Sequence, residues 1–338
     1  MARGEANLEI ELVTKPESRL TVQHFRSVER AVPELPEGEV RVRVVLLSID
    51  AANRAWMQGN VGYRAGVRPG DVMAGNGIGV ITESKSADFG TGDLVWGDLG
   101  WRRFATISPA KLRHIKASAP LSRHLSLLGV PGKTAYHGLF TVGRVMPGEV
   151  VVVSAAGGSI GTLVGQMAKR HGCRVIGIAG GPDKCAWLIS DCGYDAAVDH
   201  HTPDFAVALR AACPGGIDVY FDNVGGNVLE TSLRLMRRRG RIVCCGAVSQ
   251  YDAGSPTGPR GVPGILAANS LRMEGFLVRD FADQDIAVEA QLTEWMNAGT
   301  LRAIEDIHDG LLSAPDALVG LFAGTNRGKV MVRVSADP

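Results

Sequence analysis

The chain has 338 residues, 45% of them hydrophobic and 21% charged, with a formal net charge of +1. That is enough apolar sequence for the core of two domains, and too balanced a charge for a nucleic-acid surface. The longest basic run, Arg237-Arg238-Arg239, reads as a solvated helix end. No apolar leader follows Met1 and no run of about 18 apolar residues suggests a membrane span, so a cytoplasmic protein is expected. All six cysteines fall between Cys173 and Cys245 without zinc-ribbon spacing, and they read as structural thiols of a reducing compartment.

In chain order, residues 7–50 alternate as strands do (Leu8-Glu-Ile-Glu-Leu, Val40-Arg-Val-Arg-Val-Val), and a mostly β module extends to about residue 120. A helix is expected from Ser126. Strands follow at Val150–Ser154, Arg174–Ile178, Ala196–Val198, Ile217–Phe221, Arg241–Cys245 and Glu274–Val278. Helices are expected near 159–171, 183–191, 203–212, 226–237 and 262–269, with one more over 284–298. This alternation predicts a doubly wound parallel α/β sheet. The closing run Lys329-Val-Met-Val-Arg-Val predicts a terminal strand that rejoins the first module.

The strand Val150–Ser154 breaks into Ala156-x-Gly158-x-x-Gly161 and then a helix. In that context the pattern is a dinucleotide fingerprint, with alanine at the first glycine position. Gly158 lets the backbone approach a pyrophosphate, Gly161 lets the helix pack on the sheet, and the helix start at Ser159-Ile160 supplies amide donors. The second strand ends Ile178-Ala-Gly180-Gly-Pro-Asp-Lys184, without a carboxylate at its tip for ribose hydroxyls. Asp183, following Pro182, reads as a helix-start carboxylate, and Lys184 is placed to meet a 2′-phosphate. NADPH is the expected cofactor.

From about residue 126 to 334 the chain resembles the zinc-independent branch of the medium-chain dehydrogenases/reductases, within the prostaglandin reductase (alkenal/one oxidoreductase) group. The resemblance is carried by Gly129-Val-Pro-Gly-Lys-Thr-Ala-Tyr-His-Gly-Leu139, Ser154-Ala-Ala-Gly-Gly-Ser-Ile-Gly161, Gly216-Ile-Asp-Val-Tyr-Phe-Asp-Asn-Val-Gly-Gly226, Cys245-Gly-Ala-Val-Ser-Gln-Tyr251 and Leu321-Phe-Ala-Gly-Thr-Asn-Arg-Gly-Lys329. A looser match covers Asn53-Arg-Ala-Trp-Met57. It implies a GroES-like, mostly β catalytic domain over 1–122 and 301–338, a Rossmann domain over 123–300 and a cleft between them. It also implies NADPH-dependent reduction of the carbon–carbon double bond of α,β-unsaturated ketones and aldehydes, by a homodimer joined along the edge strand 274–278. By position, Lys184 corresponds to the lysine at the 2′-phosphate. Asn223, Cys245, Gly246, Phe276, Val278 and Asn326 correspond to residues around the cofactor, and Tyr251 to the tyrosine near the substrate carbonyl. Asn53, Trp56 and Tyr63 are candidate substrate contacts. Two departures stand out: His200 occupies a position that is often tyrosine beside the adenosine phosphate, and Ala51 follows Asp50 where the group has proline.

Zinc ligation is not expected, because no cysteine precedes Cys173 and no His-Glu pair occurs. Without a metal, an enone is the natural acceptor: hydride reaches the β-carbon and one positioned hydroxyl, Tyr251, stabilises the enolate. Tyr136 reads as a packing residue and His137 as a satisfied core residue. The same fold supports quinone reduction. A non-catalytic NADPH-binding protein would be expected to have lost Tyr251, Asn223 or Asn326, and all three are present.

Overall fold

The alternating segments at the start of the chain become strands because their buried positions, Leu8, Ile10, Leu12, Val40, Val42 and Val44, share one apolar cluster. A computed structural model describes residues 6–59, 61–62, 64–116, 120–251 and 258–338. The chain divides into two units, Met1–Leu125 with Glu305–Pro338, and Ser126–Ile304. The first begins with an antiparallel ribbon, β1 (Ala6–Leu12) and β2 (Phe25–Ala31). It continues through β3 (Val40–Ser48), α1 (Ala51–Trp56), β4 (Asn76–Ser84), β5 (Leu94–Asp98), β6 (Phe104–Ile107) and β7 (Leu112–His114).

The second unit opens with α2 (Val130–Tyr136), which runs into a π-helical stretch, His137–Val142. Then come β8 (Val150–Ser154), α3 (Ser159–Arg170), β9 (Arg174–Ala179), α4 (Pro182–Cys192), β10 (Ala196–Asp199), α5 (Phe205–Ala212), β11 (Ile217–Asp222) and α6 (Gly226–Leu233). They are followed by β12 (Met236–Cys244), α7 (Val248–Tyr251), α8 (Val262–Asn269), β13 (Arg272–Gly275) and α9 (Asp285–Asn297). The chain then returns to the first unit as β14 (Glu305–Asp309), α10 (Ala314–Ala323) and β15 (Lys329–Arg333). There β15 pairs antiparallel with β3, in a sheet ordered β14-β15-β3-β4-β5-β7 with β6 also on β3.

The second unit holds a fully parallel sheet, β10-β9-β8-β11-β12-β13. Strand order reverses between β8 and β11, the position where such sheets take ligands beyond their carboxyl ends. The central strand β8 is a run of buried valines because both its faces are covered. Burying each such side chain contributes roughly 1.5–2 kcal/mol. Close packing of α3 on the sheet depends on Gly165, where an added Cβ would stand 2.3 Å from the Tyr194 ring. The Tyr194 hydroxyl in turn donates to the Gly161 carbonyl at 2.7 Å, fixing the start of α3.

Three sequence expectations are corrected. The Arg237–Arg239 run lies inside β12, not at a helix end: α6 stops at Leu233, and Arg237 is drawn to Asp218 at 2.5 Å. The last strand of this sheet spans Arg272–Gly275 and not 274–278, since the Leu277 amide donates to Asp280 and a 3-10 turn begins at Val278. Phe276 and Val278 therefore follow the edge strand. His137 is wholly buried and stacked on Phe281, but it is only half satisfied: Nδ1 lies 3.2 Å from the Thr141 hydroxyl, and Nε2 has no partner among the described residues.

One ion pair fastens the entry of β8 to β12. Glu149 meets Arg241 through both oxygens at 2.8 and 2.6 Å. Burial alone raises this carboxyl, but the bonds from Arg241 and from the Met146 amide hold it below its ordinary value. A depressed carboxyl contributes stability above its unfolded value, about pH 4.3, and loses it as pH falls through the folded value. We expect Glu149→Gln to cost about 1–2 kcal/mol at pH 7 in urea unfolding. The gap to the wild type should close below about pH 4; equal stability of the two proteins at pH 7 would contradict this role.

Candidate active site

At the reversal point the ends of β8 and β11 are joined by polar side chains that are almost wholly out of solvent. The Asp222 Oδ1 atom accepts four hydrogen bonds: from the Tyr220 hydroxyl at 2.9 Å, the Ser154 hydroxyl at 3.2 Å, and the Val224 and Gly225 amides at 3.1 and 3.0 Å. Burial pushes the Asp222 carboxyl above its ordinary value, and these donors offset that rise only in part. Asn223 is tied across the same junction, its backbone amide donating to Ser154 Oγ at 2.9 Å and its side-chain amide to the Ser154 carbonyl at 2.8 Å. The tip of β12 is fastened there too, because the Cys245 and Gly246 amides both donate to the Asp222 carbonyl. Sequence reasoning found Asn223 but missed Ser154, Tyr220 and Asp222. The available signal was a carboxylate closing an otherwise apolar strand.

The glycine-rich turn lies immediately beyond β8. Ala155 takes a left-handed conformation (φ 47°), and the Ala156 amide donates to Ile178 of β9 at 3.0 Å. At Gly161 an added Cβ would collide with the Ala155 carbonyl at 2.4 Å, so only glycine lets α3 start so close to the turn. At Gly158, by contrast, a Cβ would meet nothing nearer than the Ala155 carbonyl at 3.2 Å. The Ser159 hydroxyl, at the start of α3 beside Ile160, has no partner among the described residues. An open glycine, an unpaired hydroxyl and a helix start fit a pyrophosphate, and so the diphosphate of NADPH.

The tip of β9 fits the 2′-phosphate. The alkyl stem of Lys184 lies across the turn, with its Cδ 2.8 Å from the place a Cβ on Gly157 would take. The adjacent carboxylate, Asp199, is turned inward: its Oδ1 accepts the Gly181 amide at 2.9 Å and the His201 amide at 3.0 Å. These bonds, the Gly181 one foremost, hold it below its ordinary value. Gly180 carries no side chain to block the site, and the ring edges of His200 and His201 stand over it.

Tyr251 ends α7, and its hydroxyl lies 3.9 Å from where a Cβ on Gly246 would be, over the tip of β12 and near Asn223. Phe276 packs near Gly138, where a Cβ would meet the Phe276 ring at 2.9 Å. Desolvation pushes the Cys245 thiol up to about 12, which favours the protonated thiol. In the first unit, Asn53 is a buried cap: Oδ1 accepts the Asp50 amide at 2.7 Å and Nδ2 donates to the Ala74 carbonyl at 2.9 Å. The Asn53 amide thus holds the loop that carries α1, with both of its ends engaged by backbone. Trp56 is buried as well, with the Arg64 guanidinium 4.3 Å from its ring centroid. Lys329, wholly buried, donates to Asp50 at 2.7 Å and to the Ile49 carbonyl at 2.7 Å, bracing the same loop. Asn326 sits in the turn before β15, donating to the Gly328 carbonyl at 3.1 Å. Tyr63 lies outside the described residues.

Comparison with known proteins yields two family matches, an N-terminal domain of oxidoreductase over residues 9–115 and a zinc-binding dehydrogenase domain over residues 159–295. Despite the second description, no group of three His, Cys, Asp or Glu side chains able to hold a metal occurs among the described residues. The chain is 41% identical to a putative NADP-dependent oxidoreductase, YfmJ, of Bacillus subtilis, covering 98% of each chain. It is 40% identical to the NADP(+)-dependent 2-alkenal reductase of Nicotiana tabacum, covering 90% of each. Among solved structures, CurA from Vibrio vulnificus in complex with NADPH matches with a TM-score of 0.92 at 35% identity, over 98% of this chain and 100% of that one.

A charge-assisted bond from lysine to phosphate is worth about 1.5–3 kcal/mol. We therefore expect Lys184→Ala to weaken NADPH binding about 10- to 100-fold in calorimetry and to leave NADH binding unchanged. An equal loss for both cofactors would place Lys184 away from the 2′-phosphate.

Proposed function

The chain belongs to the zinc-independent alkenal/one oxidoreductase group of the medium-chain dehydrogenases/reductases, and from that premise we propose that it reduces the carbon–carbon double bond of α,β-unsaturated ketones and aldehydes with NADPH. The observation that carries this reading is the convergence, at the carboxyl edge of one parallel sheet, of the phosphate-binding turn, Lys184 and the Tyr251 hydroxyl. When bound, NADPH supplies a hydride.

The chain's own residues do the rest. Gly158, Ser159 and the first amides of α3 would hold the diphosphate, and Lys184 would hold the 2′-phosphate. Asn223, fixed by Ser154, would line the site for the nicotinamide half together with Gly246 and Phe276. The Gly-x-Asn-x-Gly-Lys tail, Gly324 to Lys329, supports Asn326 as a further cofactor residue. As the substrate β-carbon gains a hydride, negative charge moves to its carbonyl oxygen. The Tyr251 hydroxyl donates a hydrogen bond to that enolate oxygen, and the α-carbon then takes a proton from solvent. A preorganised donor of this kind contributes about 3 kcal/mol in the transition state.

The working form we propose is a cytoplasmic homodimer. No helix among the described residues is long and apolar enough to cross a membrane. β13 ends the parallel sheet with one edge unpaired among the described strands, which supports pairing with a second copy. A monomer in light scattering at micromolar concentration would rule this assembly out.

With a medium-chain conjugated methyl ketone such as nonenone, NADPH consumption should yield the saturated ketone by mass spectrometry. Tyr251→Phe should lower kcat about 100-fold at unchanged NADPH affinity. Turnover of quinones alone, or an unaffected Tyr251→Phe enzyme, would contradict the proposal.

A further inference from the structure

Two imidazoles stand at the 2′-phosphate end of the cofactor site, where one lysine would suffice for recognition. His200 and His201 follow Asp199 at the end of β10, with ring centroids 4.2 Å apart. A Cβ built on Gly180 would lie 2.7 Å from His201 Cε1, and 3.3 Å from both His200 Cε1 and His201 Nε2. Both ring edges thus roof the glycine at the tip of β9, one loop away from the Lys184 stem.

The hydrogen bonds decide what each ring can offer. His200 Nδ1 lies 2.7 Å from the Ala179 carbonyl, an acceptor, so Nδ1 carries its hydrogen. In the neutral ring Nε2 then presents a lone pair, which repels phosphate oxygens; it becomes a donor only when the ring is charged. His201 Nδ1 lies 3.7 Å from Asp199 Oδ1. The ring is mostly exposed, at 67%, and open to a ligand.

We infer that His200 and His201 form, with Lys184, a titrating cradle for the 2′-phosphate, so that the preference for NADPH over NADH strengthens as pH falls from about 8 to about 6.5. The inference rests on the NADPH reading above and adds a regulation of that site by pH. Asp199 of β10 faces the pair, and Lys184 and Cys185 lie on α4, the helix that begins after Gly181. Asp199 is held below its ordinary value, and burial raises the Cys185 thiol, so both keep one charge state through this window. Lysine likewise keeps its charge there.

The 2′-phosphate itself has a second ionisation near pH 6 and sheds its remaining proton when it enters a cationic site. Net proton uptake on NADPH binding must therefore come from the protein. The test is calorimetry of NADPH and NADH binding at pH 6.5 and 8, in buffers of different ionisation heat. It compares the wild type, a His200→Gln/His201→Gln double variant and Lys184→Ala. In the wild type the ratio of the two affinities should rise about five- to tenfold at the lower pH, with proton uptake for NADPH and not for NADH. The double variant should lose both effects, keep its NADH affinity and melt as the wild type does. A flat ratio without proton uptake, in a protein that still prefers NADPH and still loses that preference in Lys184→Ala, overturns the histidine cradle alone. No preference for NADPH at either pH overturns the cradle and the cofactor reading together.

Discussion

The Asp222 carboxylate is the constraint on which the rest of the site depends. It sits at the one place where the parallel sheet reverses its strand order. There it gathers a hydroxyl from β8, a hydroxyl from β11 and two amides of the following loop onto a single oxygen. Bringing a carboxylate into so dry a place costs free energy, and only a full set of donors makes the position tolerable. The return is geometric. The carboxyl ends of β8, β11 and β12 are locked to one another, and Asn223, Gly246 and Tyr251 are thereby placed relative to the phosphate-binding turn.

That turn works by absence of side chains as much as by presence. Gly161 and Gly165 bring α3 down onto the sheet, and the Tyr194 hydroxyl holds the first turn of the helix from below. Gly158 and Gly180 leave open the two places where anionic groups of the cofactor need backbone or side-chain donors. Asp199, paired across to the last residue of β9, is occupied by backbone amides. On the proposed reading, discrimination between cofactors rests on Lys184 and on the rings beside it.

Much of this was legible in the sequence. The buried strand Val150–Ser154 and the helix Val262–Asn269 appear at the bounds that pattern and glycine punctuation imply. The terminal run Lys329–Arg333 does rejoin the first sheet. The errors have physical causes. The basic triplet 237–239 reads as helix end by charge, yet its first member is claimed by Asp218, far away in sequence. The edge strand was read two residues late because Phe276-Leu277-Val278 has strand-like residues, and the Asp280 cap that turns the chain into a 3-10 helix is a contact no periodicity reveals. Other features lie beyond pattern: Asn53 is a candidate substrate contact by position. Its amide is consumed by Asp50 and Ala74, a pairing that depends on how the loop closes. The Ser154–Tyr220–Asp222 network was invisible for the same reason: its members come from two strands that only the sheet order makes neighbours.

The central claim is that reduction occurs at the carbon–carbon double bond under the Tyr251 hydroxyl. The most direct measurement is the position of the label after turnover of a conjugated methyl ketone with NADPH deuterated at the nicotinamide C4, read by NMR of the product. The account predicts a saturated ketone with one deuterium on the β-carbon and a solvent-derived proton on the α-carbon. Deuterium on the carbinol carbon of an allylic alcohol would contradict it.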